Sequence, residues 1–254
     1  MLRIIRERLL QGYRTMRYPR GKAPELPERF RGLPVVDADK RVGGCTDCRE
    51  ACPTGAIALD TDRRLVLDMG RCIFCGACEA ACPQGAIRFT RDYRLTARRR
   101  ADLIVGSEGF SRAEALAARL RRLLGRSLRL RQVSAGGCGA CEADANVLST
   151  VGWDMGRFGI QFVASPRHAD GLLVTGPVTK NMRLALEKTW EAIPEPKILI
   201  ASGSCAISGG IFAGSPETSD GVGNILPVDL FVPGCPPHPL TLLDGLLRLL
   251  GKIP

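Results

Sequence analysis

The chain has 254 residues, and its 36 Lys+Arg against 26 Asp+Glu give a formal net charge of +10. That length allows about two domains with separate cores, and no apolar run reaches the ~18 residues that span a bilayer. Aromatics make up only 5% of the residues and no basic motif is built to stack bases, which argues against nucleic acid as the partner of the charge.

The first stretch, MLRIIRERLLQGYR, interleaves arginine with apolar residues and lacks the continuous apolar region of an export signal. Leu2, Ile5, Leu9, Tyr13 and Met16 recur at spacings of three and four, which predicts a basic amphipathic helix over residues 1–18. Such a helix either packs on its own domain or docks against a membrane subunit or anionic headgroups. Pro19 to Pro34 then read as an extended strap, so that residues 1–36 form an N-terminal helix and strap.

Residues 37–95 contain an internal repeat. CTDCREACPTGAIAL from Cys45 is matched thirty residues later by CGACEAACPQGAIRF from Cys75. The second unit, Cys72-x2-Cys75-x2-Cys78-x3-Cys82-Pro83, has the spacing of bacterial 4Fe-4S ferredoxins, where the fourth cysteine reaches across to the other cluster. Spacing by two lets three thiolates wrap one cubane. Cys52, also followed by proline, is then the swapped ligand, and Cys52, Cys72, Cys75 and Cys78 form one complete 4Fe-4S set; zinc, which also accepts four cysteines, is the competing reading. The first unit has Val42 where the repeat places a cysteine, leaving Cys45, Cys48 and Cys82. Three thiolates fit a 3Fe-4S cluster, or a 4Fe-4S cluster completed by a non-cysteine ligand such as Asp39, Asp47 or water; loss of the cluster is the remaining option.

Residues 96–125 are expected to be a linker with a helix in SRAEALAARLRRLLG. Beyond it, over 126–254, the strand-like runs SLRLRQV, IQFVAS, GLLVTG, KILIAS and PVDLFV alternate with helix-like segments such as 181–193 and 239–250. Apolar strands separated by helices predict a parallel α/β sheet covered on both faces. Cys138 and Cys141, Cys205 and Cys235 each follow one of these strands, where open α/β sheets gather their ligands. They are expected to form a second complete 4Fe-4S set, with separate buried cysteines as the plainer alternative. Gly203, Ser204, Gly209 and Gly210 are expected to bring backbone amides to that cluster. The sets of four, three and four use all eleven cysteines.

The strings RSLRLRQVSAGGCGACE, SPRHADGLLVTGPVT, PEPKILIASGSCAISGG and LPVDLFVPGCPP resemble the small subunit of group 4 energy-converting, membrane-associated NiFe hydrogenases, formate hydrogenlyase type included, a family related to the complex I subunit with the last cluster before quinone. Residues 1–95 resemble the dicluster ferredoxin-type subunit of the same complexes, so the chain looks like a fusion of two adjacent subunits. The resemblance implies an α+β ferredoxin-like dicluster domain followed by an α/β flavodoxin-like domain. It implies electron relay to a catalytic NiFe hydrogenase-like large subunit, with no catalytic residue in this chain. Integral membrane subunits and a redox donor, either ferredoxin or a dehydrogenase, are the other implied partners, and the implied location is the cytoplasmic face of the inner membrane, peripherally bound. A complex I-like quinone- or sulfur-reducing oxidoreductase is the alternative. Cys138-Gly-Ala-Cys141-Glu142 favours the hydrogenase side, because the complex I subunit resembles a tandem Cys-Cys. Glu142 is either a helix N-terminal acid or, by the resemblance, a proton-relay residue near the large subunit. His238 is read as a surface or supporting residue of the Cys235 loop, and His168 has no assigned role.

Overall fold

The structure is a computed structural model and describes residues 2–40 and 45–254. Helix α1, Leu2–Gln11, stops well before residue 18, because Gly12 takes φ +56 and turns the chain out of the helix. None of its residues is buried; Leu2 is 84% and Leu9 77% exposed. The strap that follows runs along the far half of the molecule, where the Met16 N–H donates to the Gly152 carbonyl at 2.9 Å.

The repeat is visible in three dimensions. β1 (Pro34–Val36), α2 (Asp47–Glu50) and β2 (Ile57–Leu59) are followed by β3 (Leu65–Asp68), α3 (Ala77–Ala80) and β4 (Ile87–Phe89). The units exchange strands: β1 pairs antiparallel with β4, and β2 pairs antiparallel with β3. Each unit therefore completes the other's sheet, as expected if each also lends a cysteine. Gly55 and Gly85, thirty residues apart, take φ +60 and +66 in the turns after Cys52 and Cys82, a conformation that favours glycine.

The segment after the repeat is bound to both sides. β5 (Ile104–Val105) adds to β3, while Ala97 bridges to Phe231 in the other half. Helix formation in residues 111–125 is confined to α4, Ala118–Leu124. The stretch before it is held extended instead: the Ala113 N–H donates to the Thr96 carbonyl and the Leu116 N–H to the Leu249 carbonyl, and burial of Ala113 and Leu116 outweighs their helix propensity.

The C-terminal half comprises β6 (Leu128–Ser134), α5 (Ala140–Val147), β7 (Ile160–Phe162), β8 (Gly171–Thr175), α6 (Lys180–Glu191), β9 (Ile198–Ser202), α7 (Ser204–Ser208), β10 (Leu230–Val232) and α8 (Pro239–Leu249). The five strands are parallel in the order β10-β9-β8-β6-β7. Within this half the order is the flavodoxin-like 2-1-3-4-5 read from the other edge, with its topological switch between β6 and β8. Alternation along the strands sends Leu172, Val174, Leu199 and Ala201 into one core and Leu173, Ile198 and Ile200 into the other. The first core continues into the repeat module through Met69, Ala97 and Leu103; α8 seals the second. No helix of the described residues is long and apolar enough to cross a membrane.

Candidate metal centres

Cys52, Cys72, Cys75 and Cys78 line one small pocket with Ile57, Leu67 and Phe89. Gly76, left-handed at φ +79, starts α3 and turns the chain between Cys75 and Cys78. Burial pushes the Cys72 thiol up to about 12 and Cys78 up to about 11, and the other thiols of the set push the same way. A backbone amide works against the rise at Cys72, the Phe74 N–H donating to its Sγ at 3.3 Å, and the Ala56 N–H donates to Cys52 Sγ at 3.2 Å. Thiols this hard to ionise become thiolates when a cation occupies the space between them.

The second set, Cys45, Cys48 and Cys82, is related by the same offset. The Ala86 N–H donates to Cys82 Sγ at 3.3 Å, thirty residues on from the Ala56 and Cys52 pair. Burial, then Cys82 and Cys45, raise the Cys48 thiol. Val42, on which the incompleteness of this set rests, lies outside the described residues. Asp47 opens α2 and Asp39 sits in a single turn of 3-10 helix over residues 38–40.

The third set is assembled by topology. At their carboxyl ends β6, β9 and β10 lead into the segments that carry the set: a loop with Cys138 and the first turn of α5 with Cys141, α7 with Cys205, and a loop with Cys235. The four thiols act on one another electrostatically: burial comes first in pushing Cys141 up to about 12 and Cys205 up to about 11, and both are raised further by Cys138 and Cys235. Burial raises Cys235 as well. Two glycines make the room. A Cβ on Gly203 would stand 2.6 Å from Cys141 Sγ, and one on Gly210 would stand 2.9 Å from Cys205 Sγ. Ser204 is buried; its hydroxyl stands beside Cys235, whose thiol pKa it lowers against the rise from burial, and among the described residues it has no other hydrogen-bond partner.

That hydroxyl, the glycine cradle and an all-thiol donor set fit a soft metal cluster. Three of the four amides expected at the cluster are engaged elsewhere: the Gly203 N–H donates to the Val232 carbonyl, Ser204 N–H to Gly234 and Gly209 N–H to Cys205. These residues supply space and a hydroxyl. Among the described residues no three His, Cys, Asp or Glu side chains are grouped for a single metal ion, which holds thiolates at about 2.3 Å from one point; a cubane holds them on separate corners, further apart.

Glu142 lies in the first turn of α5, one residue after Cys141. Thr175 Oγ, at the end of β8, donates to its carboxylate at 2.5 Å. Burial raises the Glu142 carboxyl, but the hydroxyls of Ser134 and Thr175 outweigh it and hold it below the usual range. His238 caps α8, its Nδ1 accepting from the Leu240 N–H at 3.1 Å, between the rings of Phe30 at 5.3 Å and Trp153 at 5.8 Å. Burial lowers its pKa. His168 ends a short 3-10 turn over residues 166–168. The hydroxyls on Glu142 and the contacts of Phe30 and Phe74 escaped the sequence reading; Thr175 carries no motif, and Phe74 shows only in its φ of +55 beside Cys75.

Fold and site together define an iron-sulfur protein: a strand-swapped cysteine repeat joined to a parallel α/β domain with thiols at its switch end. Residues 43–86 match the 4Fe-4S dicluster domain family, and residues 138–249 match the family of the NADH ubiquinone oxidoreductase 20 Kd subunit. The probable membrane-bound hydrogenase subunit mbhJ of Pyrococcus furiosus is 43% identical over 142 residues, which cover 56% of this chain and 85% of the relative. Formate hydrogenlyase subunit 7 of Escherichia coli is 43% identical over 136 residues, covering 54% of this chain and 53% of the relative. A NADH-quinone oxidoreductase subunit of Heliobacterium modesticaldum is 45% identical over 118 residues, covering 46% of this chain and 67% of the relative. The chain belongs to the NADH ubiquinone oxidoreductase 20 Kd subunit family.

Proposed function

We propose that this protein is the iron-sulfur electron-transfer subunit of a membrane-associated NiFe hydrogenase complex, with the dicluster module and the terminal-cluster domain in one chain. The observation that carries the reading is the junction of two matched families, 43–86 and 138–249, each with its own set of converging thiols. Clusters of iron and sulfur, when bound, supply one-electron transfer. The chain supplies the rest. Cys52, Cys72, Cys75 and Cys78 hold one 4Fe-4S cluster, Cys138, Cys141, Cys205 and Cys235 hold another, and Cys45, Cys48 and Cys82 hold a third that is 3Fe-4S or completed by a non-cysteine ligand. The domain division is 1–36, 37–95, 96–125 and 126–254, and the repeat module is ferredoxin-like. Glu142, fixed by Thr175 and Ser134, keeps a carboxylate beside Cys141 for proton traffic at the interface with the large subunit.

The partners follow from relatives whose names place them in membrane-bound hydrogenase and formate hydrogenlyase: a hydrogenase-like large subunit, integral membrane subunits, and a ferredoxin or dehydrogenase as donor, with peripheral attachment on the cytoplasmic face. The likeness to the NADH-quinone oxidoreductase relative keeps a complex I-like role as the second reading. Anaerobic iron counting tests the assignment: the loaded chain should carry about eight irons in the two complete sets and three or four in the third. Cys45→Ala should lower that count, and an unchanged count would remove the third site. The metal-ligating cysteines of the co-purifying large subunit separate the two readings: paired nickel ligands support hydrogenase, and their absence supports quinone or sulfur reduction.

A further inference from the structure

The strap lies outside both matched families, which cover residues 43–86 and 138–249. It is nonetheless fastened at both ends. Tyr18 is buried and donates its hydroxyl to Asp244 Oδ1 at 2.7 Å, and Arg157 grips the carbonyls of Met16 and Tyr18. At the other end the Gly32 N–H donates to the Thr90 carbonyl at 2.7 Å and the Leu33 N–H to the Asp92 carbonyl at 2.8 Å. Phe30 and Arg31 are thereby held over a cavity of about 220 Å³ whose walls include Phe74, from the Cys72–Cys75 loop, and the Cys235 loop through His238. That cavity separates two of the thiol sets. The Arg31 side chain occupies the space that a Cβ on Gly76 would take, its Nε nearest, so it covers the residue next to Cys75. Among the described residues no carboxylate stands within ion-pair distance of Arg31.

We infer that Arg31 is a potential-setting residue: its guanidinium, delivered by the strap, raises the reduction potential of the cluster held by Cys52, Cys72, Cys75 and Cys78. The inference rests on the proposed assignment of that set as a cluster site. Reduction adds one negative charge to the cluster, and an uncompensated cation beside a ligand stabilises the reduced state. With both sets loaded, an electron leaving this site toward the Cys235 set would cross that cavity, one site losing one electron as the other gains it. Because Arg31 is solvent-exposed, the effect is moderated by water and by salt.

An EPR-monitored redox titration of the full chain, loaded anaerobically, tests this. At fixed poise, Arg31→Gln should lower the reduced-to-oxidised ratio of the signal that Cys75→Ser perturbs about threefold, ~28 mV for a one-electron couple. Arg31→Lys should stay near the parent value, added salt should shrink the difference, and Arg20→Gln, the same charge change at an exposed strap position, should leave the signal in place. The inference is overturned if Arg31→Gln titrates with the parent chain, or if Arg31→Lys falls as far as the glutamine variant, which would mark packing rather than charge. A chain that loads no iron at the Cys75 set defeats the underlying assignment as well, whereas a loaded chain with an unmoved potential defeats this inference alone.

Discussion

The repeat module and the α/β domain gather thiols by opposite means. In the repeat module, three of the four proposed ligands lie within seven residues, Cys72 to Cys78, and the fourth comes from a sister unit that exchanges strands with the first. In the α/β domain the proposed ligands are spread from Cys138 to Cys235 and meet only because β6, β9 and β10 are parallel and end on one edge. A local motif needs a short loop to be right; a site of the second kind needs the whole sheet. The sites should therefore fail differently, the first through its own loop and its partner unit, the second through any change at the sheet edge.

The largest test of that contrast is Cys205→Ala. Iron should fall by about four per chain, with the EPR signals of the repeat module retained; loss of iron from both halves would show that the two are not independent. Gly203→Ala comes next. Gly203 adopts φ 93 and ψ 153, a region open essentially only to glycine, and its Cβ would press on Cys141. The strain is about 1–3 kcal/mol, so thermal unfolding should come earlier and the terminal site should load poorly, whereas Gly55→Ala, with open space around it, should spare iron content.

Tyr18→Phe probes how far the strap depends on the α/β domain. It leaves buried Asp244 with Arg248 alone, at a cost of about 1–3 kcal/mol read as a lower Tm. The pH dependence has a definite sign. Burial first, and then Asp244, raise the Tyr18 pKa far above its ordinary value of 10.0, so the unfolded chain loses that proton before the folded one does. The contribution is complete below about pH 10 and is lost as pH rises beyond it; the Phe variant should show a shallower alkaline decline. Glu142→Gln should change stability less, because the amide still accepts from Thr175. If the carboxylate carries protons, hydrogen evolution by the assembled complex should fall while the cluster signal stays intact. Smallest of all, Leu9→Glu on α1 should leave Tm within about 0.5 kcal/mol equivalent, since Leu9 touches no core; recovery of the membrane-associated complex should drop if this helix docks there.

Much of this protein was legible because its chemistry imposes spacing. The thirty-residue offset, the Cys-x-x-Cys runs and the five apolar strands appear in the structure where they were expected, and the strands run parallel as the alternation of strands and helices suggested. The misses share a cause. Residues 111–117 read as helix but are drawn out by backbone bonds to Thr96 and Leu249, and the amides of Gly203 and Ser204 are consumed by the end of β10 and the loop after it. Periodicity and composition describe what a segment prefers alone, and neither reports which partner will claim its backbone.

By itself, then, the sequence determined that seven thiols, Cys45 to Cys82, fall into repeated groups with the spacing of 4Fe-4S ferredoxins, because ligand spacing within a loop is a local property of the chain. Only the tertiary structure decided that a strap with no motif of its own would lay Phe30 and Arg31 over the gap between two sets, fastened by Tyr18 on Asp244 at one end and Gly32 on Thr90 at the other. Those contacts join residues distant in the chain, and folding alone brings Arg31 against Gly76, the residue after Cys75, which it does not neighbour in sequence.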